Sequence, residues 1–348
     1  LVRLFGKPFS IDPASPGIVL RTSLADPAKK GRASVKEVYE SVLADAEKAA
    51  PLMTKSRGVQ YASQEAAWSL LARVNLYKED NSKAIEYADK VIGSGKYTLS
   101  STTTYPTLFA NATASSETIF CIAFTQVDDY GKFGSIASMI YSDGNSGWGE
   151  EYASSSLRNL MTKHPEDVRW SYIVPLKDGA GQVQKKNGIE VYYISKFSFQ
   201  DGLPNLSSPI MFRLAELYLI RAEAKAKSNA TAAALDDVDM IRKNRGLDKA
   251  LYNKVVPAAS SALDVVLEEK RIEMAFEGHR TYDVYRNKKA LDKTYWGYHL
   301  SGLKETDIDL AKNPAGFPNL TIPYTNPRII YFLPIDEILS NPLVMQNP

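Results

Sequence analysis

The chain has 348 residues, of which 44% are hydrophobic and 24% charged, with a formal net charge of +2. Those proportions suit a globular protein with a sizeable core, and the near-neutral balance argues against a dedicated nucleic-acid surface. No apolar run approaches bilayer length, the single cysteine (Cys121) excludes an intrachain disulfide, and His164, His279 and His299 lie too far apart for a structural zinc site.

The chain opens on LVRLFGKPF without a Met, as expected of a cut inside a longer protein, and carries no basic-then-apolar signal segment. SVKEVYESVLADAEKA from Ser34 predicts a helix, because Ser34 and Glu37 have the spacing of a capping box. SQEAAWSLLARVNLYKED from Ser63 predicts a second, with Ala67, Leu70, Leu71, Val74 and Tyr77 on one stripe. NSKAIEYADKVI follows after a polar break and stops at Gly93. Small residues (Ala67, Ala72, Ala84, Ala88) let these two helices approach closely as a hairpin.

Residues 100–205 differ: they are rich in Ser, Thr, Gly, Tyr and Asp, and ETIFCIAF and VYYISKFSF read as strands among long loops. DGAG at 178–181 and NG at 187–188 read as tight turns between strands. No Walker loop, GxGxxG or GxSxG occurs. The helical pattern then recurs. MFRLAELYLIRAEAKAK from Met211 and NATAAALDDVDMIRKNRG repeat the earlier layout of apolar helix, polar turn, Ala-rich helix and Gly. Each pair has roughly the length of a tetratricopeptide unit, and such units bury their faces by stacking.

From Ser261 the chain predicts one further helix, with Ser261 and Asp264 as a capping box. Leu263, Val266, Leu267, Ile272, Ala275 and Phe276 are apolar around much of its circumference, which predicts burial. Lys270 and Glu273 are spaced to pair on one face, and Gly278 is placed to end the helix. From its second half onward, EEKRIEMAFEGHRTYDVYRN (268–287) concentrates carboxylates, a histidine and three arginines. The favoured reading is a brace of paired buried charges, with His279, Arg280 and Asp283 tying the turn to its neighbours. The alternative makes Glu277 an acid and His279 a base, but no nucleophile or second acid is placed by sequence. After Asn287 the chain is irregular to its end.

Four segments together resemble the RagB/SusD family of nutrient-binding outer-membrane lipoproteins: LVRLFGKPF; LLARVNLYKEDNSKAIEYADKVI; FRLAELYLIRAEA with EEKRIEMAFEGHRTYDVYRN; and the closing YFLPIDEILSNPLVMQNP. The resemblance covers essentially the whole chain. It departs from the family pattern after Gly278, where Arg280-Thr281 replaces arginine-tryptophan. The resemblance implies a mostly helical fold of tetratricopeptide-like pairs with long irregular loops and a few short strands. It implies a single domain over 1–348: scaffold helices at 30–93, a ligand-side region at 100–205, helices at 206–290 and an irregular segment at 291–348. The family's N-terminal part, with its lipid-modified cysteine, is expected to lie outside this chain, and Cys121 is no substitute for that cysteine. The implied role is a cell-surface glycan-binding protein that serves a SusC-like TonB-dependent transporter in the outer membrane of Bacteroidetes. No enzymatic role, cofactor or metal is expected. The alternatives are a glycoside hydrolase, which needs two carboxylates at a set separation, and a helical-repeat scaffold that binds protein.

A glycan site needs an exposed aromatic face beside polar side chains that read hydroxyls. MIYSDGNSGWGEEYAS at 139–154 offers that mixture in Trp148, Tyr141, Asp143, Asn145 and Tyr152. Gly147 and Gly149 are expected to leave the Trp148 ring uncovered; the competing reading turns that ring into the core. TYWGYHLSG at 294–302 is a second candidate, through Trp296 and Tyr298. Trp68, on a helix stripe, and Trp170, after HPEDVR, are expected to pack.

Overall fold

The computed structural model describes residues 1–55, 57–186, 189–293 and 321–348. A short helix α1 (Val2–Phe5) leads to α2 (Val35–Ala49). Ser34 Oγ accepts from the Glu37 N–H while the Ser34 N–H donates to the Glu37 carboxylate at 2.7 Å, so the predicted capping box forms. Helices α3 (Gln64–Tyr77) and α4 (Asn81–Gly93) form the first hairpin, with Ala72, Ala84 and Ala88 fully buried. Its turn places Glu79 at φ +66°, and Asp80 then caps α4 through the Lys83 N–H. The second hairpin, α7 (Leu214–Lys227) and α8 (Thr231–Lys243), turns in the same way through Asn229 at φ +61°. Helix α4 packs on α7, and α9 (Ala262–Glu273) closes the stack against α7 and α8. The periodicity therefore located both hairpins and their turns.

Between the hairpins lie β1 (Thr118–Cys121), α5 (Ile136–Ile140), α6 (Ser155–Met161), β2 (Ile173–Pro175), β3 (Lys185–Lys186), β4 (Ile189–Glu190), β5 (Tyr192–Ile194) and β6 (Ile210–Arg213). They pair antiparallel as β1–β6, β2–β5 and β3–β4. The 178–181 turn is held by Asp178, whose Oδ1 accepts from Ala180 and Gln182 at 2.9 Å. Asn187 and Gly188 lie outside the described residues. Helix α10 (Arg280–Arg286) and the β7 (Leu291–Asp292)–β8 (Thr321–Ile322) pair follow, and α11 (Ile335–Ser340) precedes the end.

Three local expectations change. Met211 does not begin a helix: it lies in β6, and α7 starts at Leu214. Arg213 stays extended (φ −140°, ψ 155°) because its guanidinium is held by Glu117, Glu273 and Glu277. Helix α9 stops at Glu273, before Gly278; Phe276 (φ +70°) and Gly278 (φ +73°) then reverse the chain into α10. Finally, Lys270 and Glu273 do not pair with each other. Lys270 reaches Glu223 and Asp283, while Glu273 takes Arg213, Arg245 and Arg169.

The Glu273 contacts belong to a buried ionic network. Glu117, Asp167, Glu269, Glu273 and Glu277 face Arg169, Arg213, Arg242, Arg245 and Lys196, with separations of 2.6–3.2 Å. Five negative groups meet five positive ones, which is the condition under which burying so much charge is tolerable. The two ends of the chain also meet. The Tyr331 N–H donates to Leu4 O at 2.8 Å, and Arg32 bridges Phe5 O (2.7 Å) and Asn347 Oδ1 (2.7 Å). The opening and closing motifs thus form one structure.

Candidate functional site

The loops between the hairpins carry exposed aromatic rings, among them Tyr130, Phe133, Trp148 and Phe199. Trp148 is 46% exposed, so it does not turn into the core. Its backbone N–H donates to Ser138 O and its indole Nε1–H to Lys132 O, both at 2.7 Å. With the indole N–H satisfied, the ring is fixed and its remaining surface stays open. Phe133 meets it edge-on at 5.8 Å, and the Lys132 ammonium lies 4.8 Å from the ring centroid. Phe133 and Tyr130 are themselves 79% and 75% exposed.

The flanking glycines have a different reason from the one expected. A Cβ on Gly147 would fall 2.1 Å from Tyr141 O. One on Gly149, at φ +56°, would fall 2.5 Å from the Tyr193 ring. The glycines let the backbone lie flat on these two residues, and that close approach aims the indole outward.

Asp143 is a loop brace. Its carboxylate accepts from the Asn145 N–H (2.9 Å), the Ser146 N–H (2.7 Å) and the Ser146 hydroxyl (2.7 Å). The Asn145 N–H, more than any other group, holds it below the usual carboxylate range. Its hydroxyl-reading capacity is therefore partly used inside the loop, whereas Asn145 is exposed at the tip. Tyr141 stands edge-on to Phe199 (5.1 Å) and Tyr193 (6.2 Å), and Tyr152 meets Tyr193 at 5.7 Å. Burial raises the hydroxyl pKa of both Tyr141 and Tyr152, so each remains a hydrogen-bonding phenol at neutral pH. Asn205 Nδ2 donates to Ser146 O and locks the loop to the 199–206 turn.

Tyr141 and Tyr152 thus meet through Tyr193, Asp143 and Asn145 form the loop tip, and the Trp148 ring stands with Phe133 and Lys132. Trp296 and Tyr298 lie outside the described residues. Trp68 and Trp170 are partly buried against apolar clusters, as expected, and Trp170 donates to His164 O at 3.3 Å. Sequence reasoning passed over Lys132, Phe133 and Phe199. A signal existed for the first two: Gly131-Lys132-Phe133-Gly134 frames an aromatic between glycines, as Gly147-Trp148-Gly149 does. Phe199 carried none, because within a strand-like run its φ of +72° is invisible.

The 268–287 segment offers no comparable opening. Burial alone would raise the Glu277 carboxyl, but Arg213 and Lys196 outweigh it and hold it at about 2. A carboxylate so placed donates no proton near neutral pH. Burial pushes His279 down to about 4, and its Nδ1 is enclosed without a partner among the described residues.

Comparison with known proteins adds an independent finding. Residues 172–348 match the model of the SusD family. SusD-like protein P2 of Formosa agariphila is 29% identical over 337 residues, covering 83% of this chain and 62% of its own length. The chain spans about three-fifths of the length of the curated relatives it matches. A solved SusD superfamily protein from Bacteroides thetaiotaomicron superposes with a TM-score of 0.83 at 28% identity, covering all of this chain and 74% of that one. A SusD-like carbohydrate binding protein from Bacteroides vulgatus shares the fold at a TM-score of 0.75 and 23% identity, over 99% of this chain and 73% of its own.

Proposed function

The chain belongs to the SusD family, and from that premise we propose that it binds glycan at the cell surface and passes it to a SusC-like TonB-dependent transporter. The observation that carries this reading is the half-exposed Trp148 ring, fixed by its indole hydrogen bond and set beside Phe133 on loops borne by a helical scaffold. Pyranose rings present flat C–H faces that stack on such rings, while their hydroxyls need polar neighbours. Loops held on a rigid scaffold are where recognition residues concentrate.

In this role the 100–205 region faces the ligand and the helical hairpins offer surfaces to the transporter. Attachment to the outer membrane falls to a lipid on a segment preceding residue 1. No helix among the described residues is long and apolar enough to cross a membrane. The protein binds without turnover. The test is a glycan array with the full-length protein, followed by calorimetry on the hits, a chromogenic glycosidase assay and co-purification with the transporter. Saturable binding without hydrolysis, and recovery of the complex, are the expected results. Failure to bind any glycan, or release of product, overturns the reading.

A further inference from the structure

Phe199, whose ring meets Tyr141 of the candidate surface at 5.1 Å, also lines a separate cavity of about 440 Å³. Thr107, Asn111, Ser195, Ser198 and Asp201 line it too. That volume lies within the range of small-molecule clefts, about 300–1,000 Å³. Ser198 is 2% exposed, yet its hydroxyl has no hydrogen-bond partner among the described residues. A buried hydroxyl left unpaired is unfavourable, so a native structure that keeps one has a use or an occupant for it.

The wall above the cavity is built under constraint. Phe199 (φ +72°), Asp201 (φ +54°) and Gly202 (φ +76°) all occupy the left-handed region, which a bulky residue adopts only when its surroundings enforce it. Here they do: the Phe199 N–H donates to Leu203 O at 3.0 Å, and Gln200 Nε2 donates to Phe124 O at 2.7 Å. Ser208 Oγ holds the other end of the Gln200 amide at 2.8 Å. The turn fixes the Phe199 ring, 40% exposed, between Tyr141 and the cavity.

We propose that this cavity is a second sugar subsite, continuous with the Trp148 surface through Phe199, that takes an uncharged pyranose of the same glycan chain. Phe199 supplies the stacking face, and Ser198, Asn111 and Asp201 read ring hydroxyls. Among the described residues no Lys or Arg lines the cavity, and the Asp201 carboxylate opposes a uronate or sulfated sugar there. The inference rests on the glycan-binding reading above.

The experiment uses full-length protein and neutral malto-, cello-, xylo-, manno- and laminari-oligosaccharides, each from disaccharide to hexasaccharide, with affinities by calorimetry. Wild-type affinity should rise with length as the second subsite fills. Ser198→Ala and Asn111→Ala should each weaken the longest bound oligomer by about three- to tenfold, the scale of one neutral hydrogen bond. Neither should lower the melting temperature, since neither side chain holds the fold together. Trp148→Ala should weaken short and long oligomers alike. If Trp148→Ala weakens binding while both cavity variants match wild type on the hexasaccharide, the second subsite is wrong and the first stands. If wild type binds only charged glycans, the uncharged-pyranose assignment is overturned. If it binds neither this panel nor the array, the function itself is overturned.

Discussion

The network around α9 and the loop surface around Trp148 use similar chemistry in opposite settings. Around α9, Glu273 is fully enclosed and touches three guanidiniums, each of which touches another carboxylate. Around Trp148, the Lys132 ammonium lies over an open aromatic face with no carboxylate partner among the described residues. A closed set of charges has nothing left to offer a ligand and acts as architecture. An open cation and an open ring retain binding capacity. The density of charged residues in 268–287 therefore marks the frame, while the sparser, glycine-framed aromatics carry the surface proposed to meet the ligand.

The hardest blow to this contrast is Glu273→Gln. It removes the charge that holds Arg169, Arg213 and Arg245 together and should cost about 3–5 kcal/mol, as for other uncompensated buried charges. Urea unfolding measures it, and any protein that still folds should keep its glycan affinity. A stable variant with lost affinity would mean that the network belongs to the site.

Acid titration should separate two members of the same region. His279 has an ordinary value of 6.5 and a folded value of about 4. Above about pH 6.5 it is neutral in both states and contributes nothing. As pH falls from 6.5 towards 4, the unfolded chain takes up a proton that the folded chain refuses, so stability drops by up to about 3 kcal/mol. His279→Gln should flatten that interval. Glu277 falls from 4.5 to about 2 in the folded state, so its contribution is present above 4.5 and lost as pH approaches 2. Glu277→Gln should lower the melting temperature at neutral pH and leave affinity unchanged. Unfolding curves across pH 7 to 3 distinguish the two steps.

These two regions also differ in how far the sequence disclosed them. The helical hairpins were readable because burial imposes a 3.6-residue period, and Ser34–Glu37 and Ser261–Asp264 mark the starts of α2 and α9 by local hydrogen bonds alone. The start of α7 was not, because Met211 and Phe212 fit a helix stripe and a strand equally well and β1 decides between them. Nor was the partner choice of Lys270, since Glu223 and Asp283 arrive from other helices. On the loop surface, Trp148 was identifiable from its composition. The reason for its glycines was not, because it depends on Tyr193, which is distant in sequence. Phe199 and its cavity depend on backbone angles and on contacts with Phe124 and Ser208.

The open side of the comparison predicts smaller effects. Trp148→Ala should weaken glycan binding about tenfold, since a stacked aromatic is worth about 1–1.5 kcal/mol. Its melting temperature should stay near wild type. A large loss of stability with retained affinity would place Trp148 with the frame instead.

The smallest effect, and the sharpest probe of the surface, is Lys132→Gln. The Lys132 carbonyl holds the indole through its Nε1–H, and a substitution leaves that backbone bond intact. Only the ammonium over the ring is removed. An exposed cation–π contact is worth about 0.5–1 kcal/mol, so affinity for a neutral oligosaccharide should fall about two- to fivefold at most, through looser seating of the ring. Stability should fall by no more than about 1 kcal/mol, the worth of that contact, because Lys132 has no ion-pair partner to lose among the described residues. Salt dependence then separates two jobs for the same ammonium. If it only steadies the ring, the wild-type affinity is nearly independent of salt, because no ligand charge is screened. If it also binds a carboxylate or sulfate on the glycan, the wild type weakens as salt rises and Lys132→Gln does not. The expected outcome is the first for the neutral panel. A salt-dependent loss confined to charged glycans would make Lys132 a ligand-binding residue in its own right.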